Sequence, residues 1–272
     1  MKLLFSEHKA DYAHYIFPYA IWGIPEKGEK AADFFARGFL PSSRELDRFY
    51  LCRHVRIDLA KFKPSSENRR ILRKGAGVTA ELVERGKFEF SAERRAFYKT
   101  YANIKFGKDT MTGERLDSLF AGRITSHLLL FRDAEGGEIG TVTLYVEGRM
   151  AYYYFAFYDL KYYNRNLGMF MMTHAVEFFA GRGFDFLYLG SCYNRNALYK
   201  TQFAGAEFFN GVRWSEDLAE LKYLIEREDK EVKQHLLETE EYRELFCGGE
   251  LGELVKASPF RVRIAKGVKG KQ

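Results

Sequence analysis

Three side chains in the second half of the chain have the chemistry that acyl transfer needs. Tyr188 and Tyr199 carry hydroxyls that can donate a hydrogen bond to an oxyanion or relay a proton. Lys200 follows directly and can pair with a phosphate or with an acidic substrate side chain. We predict that these three residues are catalytic and lie at the end of a buried strand. The alternatives are a core aromatic for Tyr188 and a surface charge for Lys200.

A turn at residues 165–168, with the sequence RNLG, precedes a helical pattern and offers a place to hold a donor substrate. The first turn of a helix leaves backbone N–H groups without intrahelical partners, and such groups suit an anionic or carbonyl oxygen. We therefore expect the backbone around Leu167, Gly168 and Met169 to bind the donor end, with Arg165 orienting it. The alternative is a solvent-exposed arginine beside a glycine that only supplies the turn.

The elements that must position these residues follow from pattern. Short runs rich in β-branched and aromatic residues, separated by Gly-containing turns, predict an antiparallel meander. Apolar residues then recur at helical spacing from Leu167 to the stop signal at Gly181, and another apolar run follows. The predicted strands are residues 127–133, 139–146, 150–158 and 184–189.

The order of meander, loop, helix and parallel strand resembles the core of the GCN5-type acyltransferase (GNAT-like) fold. We therefore predict an α/β (α+β) fold with a mixed central sheet flanked by helices, with two GNAT-like lobes as an alternative arrangement. Further pattern predicts helices at 29–40, 66–74 and 91–105 and one strand at 49–59.

The same region also carries a set of residues that follow one another at a family-specific spacing: Tyr158, Asp159, Arg165, Asn166, Leu167, Gly168, Leu187, Tyr188, Leu189, Gly190, Tyr199, Lys200 and Phe203. In these residues the chain resembles a narrower family, the arginyl-tRNA–protein and leucyl-tRNA–protein transferases, which add an amino acid to protein N-termini. The resemblance implies an aminoacyltransferase that uses aminoacyl-tRNA as donor and a protein N-terminus with an acidic residue as acceptor.

The first half of the chain resembles the family too, in the segment 56–70 and in the helix that contains Tyr98. In the family the acceptor carboxylate belongs to an N-terminal Asp or Glu. Because a guanidinium binds a carboxylate in a bidentate way, Arg69 and Arg70 are the candidates for holding it. Arg56 and Tyr98 complete the predicted acceptor site. The alternative places the adjacent arginines in water on a helix surface.

The chain departs from the family in its cysteines. The family's first half opens with a cysteine group that includes a C-x-x-C motif, whereas here Cys52 stands alone near that place. Since zinc or cluster binding takes about four ligands, we predict no metal site and no cofactor. The chain is thus expected to be a divergent member of the family.

Composition bounds the remaining properties. The 272 residues are 46% hydrophobic, so the chain can bury a large core, and three scattered cysteines predict no disulfide framework. No apolar run is long enough for a membrane span, so we expect a cytoplasmic protein with no membrane partner. The net charge of +6 favours an acidic partner such as tRNA. The sequence does not indicate an oligomeric state.

We expect three parts along the chain: an acceptor-binding N-terminal lobe at 1–85, a GNAT-like transferase domain at 86–215, and a helical appendage with a basic tail at 216–272. Two other functions stay open. The first is a GNAT-like enzyme that uses an acyl-CoA thioester on a small amine or peptide. Bulky residues after the RNLG turn weigh against it. The second is a binding protein that has kept the fold and lost the chemistry.

Overall fold

The computed structural model describes residues 1–108 and 110–260, with the backbone alone at residues 163–165. Its strands are β1 (Lys2–Glu7), β2 (Tyr19–Ile24), β3 (Phe39–Pro41), β4 (Phe49–Leu51), β5 (His54–Asp58), β6 (Thr79–Glu84), β7 (His127–Arg132), β8 (Glu138–Glu147), β9 (Met150–Tyr158), β10 (Phe186–Ser191), β11 (Ala206–Phe209) and β12 (Trp214–Ser215). Its α-helices are α1 (Ala31–Ala36), α2 (Ser66–Lys74), α3 (Ala92–Phe106), α4 (Gly113–Ala121), α5 (Leu167–Gly181), α6 (Leu218–Glu228), α7 (Glu240–Cys247) and α8 (Gly252–Ala257). Short 3₁₀ helices include Leu160–Arg165 and Arg195–Thr201.

One large sheet organises the described part of the chain. Its eight strands lie in the order β12-β11-β5-β10-β9-β8-β7-β6. Neighbouring strands are antiparallel except β9 and β10, which are parallel because α5 connects them. The mixed α/β sheet flanked by helices confirms the predicted fold class, and the order of meander, helix and parallel strand is the one expected.

The meander and its helix form where the sequence pattern places them. The strands β7, β8 and β9 are joined by glycine turns, and Gly136 and Gly148 have positive φ values that a side chain would disfavour. The helix α5 is apolar on most of its surface because it is covered by the sheet on one side and by α2 on another. Its packing fixes the position of its first turn against the sheet.

A second, four-stranded sheet with the order β1-β2-β4-β3 lies beside the first. It shares an aromatic core with α1 and with one face of the large sheet. Phe34 and Phe49 stack at 4.3 Å, and Phe35 contacts Tyr152 and Tyr188 at 5.1 and 4.9 Å between ring centroids.

Two predicted elements of the first half differ in the structure. The run 49–59 was expected to be one strand but forms two, β4 and β5, in different sheets. The first strand ends before Cys52, whose N–H donates to the Gly38 carbonyl. The helix predicted within 29–40, with its end at Gly38, spans Ala31–Ala36, and residues 39–41 form β3 after Gly38, which has a φ of 89°. A period-2 pattern cannot show which sheet a strand joins.

The large sheet takes strands from both sides of residue 85, since β5 and β6 belong to it together with the meander. The appendage packs on its β11–β12 end. There the buried carboxylate of Glu220 accepts hydrogen bonds from Asn210, Ser215 and Tyr242 at 2.8, 2.7 and 2.6 Å. Residues 261–272, most of the predicted basic tail, lie outside the described residues.

No helix among the described residues is long and apolar enough to cross a membrane. In the same part of the chain, no group of three or more His, Cys, Asp or Glu side chains could hold a metal ion.

Candidate functional site

The two central strands of the large sheet separate after a short paired stretch. β9 and β10 are paired only from Met150–Phe186 to Tyr152–Tyr188. Beyond this point each strand carries a β-bulge. Tyr154 is the extra residue of β9 against β8, and Leu189 is the extra residue of β10 against β5. Because bulges bend a strand and increase its twist, the two strands turn towards their outer neighbours and leave an opening between them.

This opening forms a cleft of about 950 Å³. Its walls come from the open halves of β9 and β10, from the first turn of α5, from the end of α3 and from the 3₁₀ helix at 195–201. The lining residues are Tyr101, Lys105, Phe106, Tyr153, Tyr154, Phe155, Ala156, Tyr158, Asn166, Leu167, Gly168, Met169, Met172, Leu189, Asn196, Tyr199 and Lys200.

The first turn of α5 forms one wall, as the RNLG turn predicts. Asn166 precedes the helix in the left-handed region, with a φ of 57°. A Cβ on Gly168 would lie 2.8 to 2.9 Å from the ring and hydroxyl of Tyr158, so glycine permits this close contact. The Met169 N–H already donates to the Asn166 carbonyl at 3.0 Å. The side chain of Arg165 lies outside the described residues.

Tyrosine hydroxyls dominate the polar surface of the cleft. Tyr101 and Tyr158 approach with ring centroids 4.8 Å apart, and Tyr153 lies near both Tyr158 and Tyr199. Burial raises the pKa of Tyr101, Tyr153 and Tyr199, and the neighbouring tyrosines raise it further. These three hydroxyls therefore stay protonated at neutral pH and can act as hydrogen-bond donors.

Two lysines supply the positive charge at the cleft. Lys200 donates from Nζ to the Ser191 carbonyl at 2.7 Å, which holds it against the end of β10. An ammonium has three donors, so two remain for other acceptors. Burial lowers the pKa of Lys200, while proximity to Cys192 opposes this. Lys105 lies across the cleft on α3, and within the described residues no carboxylate lines the cleft.

The other face of β10 holds Tyr188 in a packed core. Tyr188 is fully buried, contacts Phe35 and Trp214, and does not line the cleft. Its cross-strand neighbour Arg56 is also buried and bonds Glu207 through Nε and Nη2, both at 2.7 Å. The inward-pointing arginine thus has the carboxylate partner that its burial requires.

The remaining predicted acceptor residues also lie away from the cleft. Arg69 and Arg70 are exposed on α2, where Arg69 donates to the Pro64 carbonyl at 2.6 Å and Arg70 pairs with Glu67 one helical turn earlier. Tyr98 is fully buried in α3, and its hydroxyl lies 3.0 Å from Glu138 and 2.9 Å from Thr141. The structure therefore brings together Tyr199, Lys200 and the 167–169 turn, and it separates them from Arg56, Arg69, Arg70, Tyr98 and Tyr188.

Several cleft residues were not predicted from the sequence. Tyr153 lies in a run of aromatic residues, and the sequence does not show which of them face the opening. Their direction depends on the bulge at Tyr154. Lys105 carries a usable signal, since it lies four residues after Tyr101 and so shares its helix face.

Comparisons with known proteins point to one group of enzymes. The chain is 28% identical over 177 residues to an aspartate/glutamate leucyltransferase of Chromobacterium violaceum, covering 62% of this chain and 70% of that protein. Proteins of the same name from Alkalilimnicola ehrlichii and Marinobacter nauticus are 27% and 28% identical, over 62% and 61% of this chain and 72% and 70% of theirs. The chain is a divergent relative of these leucyltransferases. The resemblance seen in its motifs is thereby confirmed, and its enzyme class is that of the aminoacyltransferases.

No family model matches the chain. Among solved structures, L-PGS from Bacillus licheniformis is 13% identical, with a TM-score of 0.39 over 51% of this chain and 44% of that one. FemX is 10% identical, with a TM-score of 0.39 over 52% of this chain and 53% of that one. The relationship to the leucyltransferases is therefore one of sequence.

Proposed function

We propose that this protein transfers an amino acid from an aminoacyl-tRNA to the α-amino group of a protein that begins with Asp or Glu. The relatives named aspartate/glutamate leucyltransferases support this reaction. The observation that carries the proposal is the cleft between β9 and β10, which offers the Lys200 ammonium group and tyrosine hydroxyls. Within the described residues it contains no carboxylate.

The reaction needs positioning and proton transfer. The neutral acceptor amine attacks the carbonyl carbon of the aminoacyl ester, a C–N bond forms, and the C–O bond to the tRNA ribose breaks. The amine proton ends on the departing ribose oxygen. A protonated tyrosine hydroxyl can donate to the oxyanion as it develops, and Tyr199 is the half-exposed tyrosine placed beside Lys200. No covalent bond to the protein is required.

The cleft lining favours a leucyl over an arginyl donor. An arginine side chain in the cleft would need a carboxylate to pair with, and none lines the described cleft. It would also lie near the positive charge of Lys200. Apolar atoms of Met169, Met172 and Leu189 instead suit an aliphatic side chain.

The acceptor carboxylate is assigned to Lys200. Of the two arginines predicted to hold it, Arg70 is paired with Glu67 and Arg69 donates to the Pro64 carbonyl. Arg56, also predicted at the acceptor site, is paired with Glu207. Lys200 has donors left over and faces the cleft, so it can bind the acidic side chain of the acceptor beside the amine that reacts.

The start of α5 argues against an acyl-CoA donor. A pyrophosphate at a helix N-terminus needs free N–H groups and close access to the backbone. Here the Tyr158 ring packs on Gly168, and the Met169 N–H is bound to the Asn166 carbonyl. The Tyr158 ring therefore restricts access to the Gly168 backbone, and the Met169 N–H is not free for a phosphate oxygen.

A transfer assay tests the proposal. Purified protein is mixed with tRNA charged with labelled leucine or arginine and with peptides that begin with Asp, Glu, Lys or Ala. We expect leucine on the Asp and Glu peptides. Lys200→Met should lower kcat/KM for these peptides about 10- to 100-fold, the range for losing a hydrogen bond to a charged group. Lys161→Met, which removes an exposed lysine outside the cleft, is the control and should leave transfer unchanged.

Each outcome has a distinct meaning. Arginine transfer without leucine transfer would contradict the donor assignment. An unchanged Lys200→Met variant would contradict the role of Lys200. No transfer of either amino acid, together with consumption of acetyl-CoA in the presence of amines, would overturn the proposed function.

A further inference from the structure

Four aromatic side chains form a strip that leads from the four-stranded sheet to the cleft. The strip consists of Trp22, Tyr50, Tyr193 and Tyr154, and only Tyr154 also lines the cleft. Tyr193 is 44% exposed and the other three are half-buried, so each ring presents part of its surface to solvent. We call this surface the aromatic–arginine strip, because arginines accompany the rings.

One direct ring contact and a shared core connect members of the strip. Trp22 and Tyr50 are cross-strand partners on β2 and β4, with ring centroids 6.3 Å apart. Tyr50 and Tyr154 both pack against the aromatic core that contains Phe35 and Tyr152. Burial raises the pKa of Tyr50, and the nearby Cys52, Tyr193 and Tyr154 raise it further. The strip thus ends at the wall that the bulged strand β9 contributes to the cleft.

Arginines lie on or beside the rings along the strip. The guanidinium of Arg48 lies 5.0 Å from the Trp22 ring centre, and that of Arg53 lies 4.6 Å from the Tyr193 ring centre. Arg44 and Arg115 approach Tyr154 closely enough for their charges to oppose the rise that burial causes in its pKa.

Among the described residues, one carboxylate forms an ion pair with these arginines. Glu228, which is 55% exposed, lies 3.3 Å from Nη2 of Arg53, whose side chain is 9% exposed, so water screens the pair from the carboxylate side. A phosphate can compete with such an exposed carboxylate for the guanidinium. Arg53 itself is held by its Nε bond to the Cys192 carbonyl at 2.8 Å, so it is already positioned.

We propose that the aromatic–arginine strip binds the single-stranded 3′ end of the donor tRNA and directs its last nucleotides into the cleft. The inference rests on the proposed function, because it names the partner surface for the same reaction. Unpaired bases stack on aromatic rings without regard to sequence, and arginines bind the phosphates between them. A peptide acceptor with an acidic N-terminus would use only the charges and would leave the row of rings without a role.

The experiment compares two RNAs on the full-length protein by fluorescence anisotropy. One is a short RNA hairpin with an unpaired 3′ CCA end, and the other is the same hairpin cut back to a blunt end. We expect the overhanging RNA to bind roughly tenfold more tightly at equal salt, within the range given by stacking of one base. Equal affinity for the two RNAs would overturn the proposal without any variant.

Variants locate the site of that difference. Tyr193→Ala and Arg48→Gln should remove most of the preference for the overhanging RNA. Tyr193→Phe, which keeps the ring and loses only the hydroxyl that accepts from the Arg53 N–H, should retain it. Arg182→Gln is the matched control, because Arg182 also stacks on a ring, Phe178 at 3.4 Å, at the far end of α5. An equal loss in the control and in Arg48→Gln would reduce the effect to net charge and overturn the assignment.

The test separates this inference from the proposed function. Transfer activity without any preference for the overhanging RNA would refute the strip and leave the reaction standing. A preference that depends on Tyr193, without transfer of any amino acid, would support the strip and refute the reaction. If the strip variants weaken binding of an Asp-initiated peptide and leave RNA binding unchanged, the strip belongs to the acceptor and the proposal fails.

Discussion

The two edges of strand β10 differ: one is paired with β5 and is called the closed side, and the other separates from β9 and is called the open side. Similar residue types have different roles on the two sides. On the closed side β10 pairs with β5, and Tyr188 and Arg56 lie next to each other in the packed core. On the open side β10 separates from β9, and Tyr199 and Lys200 line the cleft. Each side therefore combines a tyrosine with a basic side chain beside the same strand.

What differs between the two sides is the partner of the cation. Arg56 has a buried carboxylate, Glu207, and lies 3.9 Å from the ring centres of both Phe186 and Trp214. Lys200 has a backbone carbonyl and, in the described cleft, no carboxylate. A cation that the fold has neutralised supports structure, whereas a cation whose charge is not neutralised can attract a substrate.

Replacing Arg56 by Ala should have the largest effect and should act on stability. It leaves the carboxylate of Glu207 buried without its main partner, which costs about 3 to 5 kcal/mol in the free energy of unfolding. Urea denaturation measures this loss. The double variant Arg56→Met/Glu207→Leu removes both charges and should recover most of it, because an apolar pair of similar size needs no ionic partner. A stable Arg56→Ala protein without transfer activity would instead place Arg56 in the site.

The comparison also shows what a single sequence can predict. The meander and α5 were predictable because turn glycines and helical periodicity are local signals, visible in the residues themselves. The RNLG turn is predictable for the same reason, and its residues Asn166, Leu167 and Gly168 line the cleft together with Met169.

The division between the two sides of β10 could not be predicted. It depends on which residue of each strand is extra in the pairing, Tyr154 in one and Leu189 in the other, and this is a property of neighbouring strands. The motif around Tyr188 predicts a catalytic role, but it does not show that this side chain is buried in the core. The partner of Arg56 lies 151 residues away in the chain, at Glu207, and no local pattern indicates it.

Gly168→Ala tests the open side through its geometry. The new Cβ would approach the Tyr158 ring to 2.8 Å, so the ring must move and change the cleft wall. Transfer should fall roughly 10- to 100-fold, since displacements near 1 Å can cost that much. The free energy of unfolding should change by less than about 1 kcal/mol, because alanine is the better helix former.

The matched control for this variant is Gly181→Ala, at the other end of α5. A Cβ there meets no atom within 4 Å, so transfer should be unchanged. Equal activity of the two variants would show that the Tyr158 contact does not shape the site.

The pH dependence of acceptor choice sharpens the contrast between a paired and an unpaired cation. Burial lowers the pKa of Lys200 below its usual 10.5, so its charge is lost on the way to that pH. The ratio of transfer to Asp peptides over Ala peptides should therefore fall severalfold as the pH rises through this lowered pKa. In Lys200→Arg the ratio should stay constant, because a guanidinium remains charged. A ratio that does not vary with pH in the unaltered protein would contradict the assignment.

The lowered pKa of Lys200 also makes the free energy of unfolding depend on pH. The direction is opposite to that for a lysine whose pKa is raised by a carboxylate partner. Between the folded pKa of Lys200 and its unfolded value, the unfolded chain binds more protons than the folded chain. Stability from this residue should therefore rise with pH across that interval, and Lys200→Met should remove the rise. Urea denaturation at several pH values measures it.

Arg70→Ala should have the smallest effect and completes the comparison with a cation that is neither buried nor in the cleft. Its guanidinium pairs with Glu67 on the exposed face of α2, where water screens the pair. We expect no measurable change in the urea midpoint or in kcat/KM for Asp peptides. A selective loss of activity towards Asp and Glu peptides, with Ala peptides unaffected, would return the acceptor site to α2. It would also show that an exposed arginine can exchange its helix partner for a substrate carboxylate. The ion-pair partner and the burial of a basic side chain in the free protein would then not tell a structural cation from a functional one in this fold.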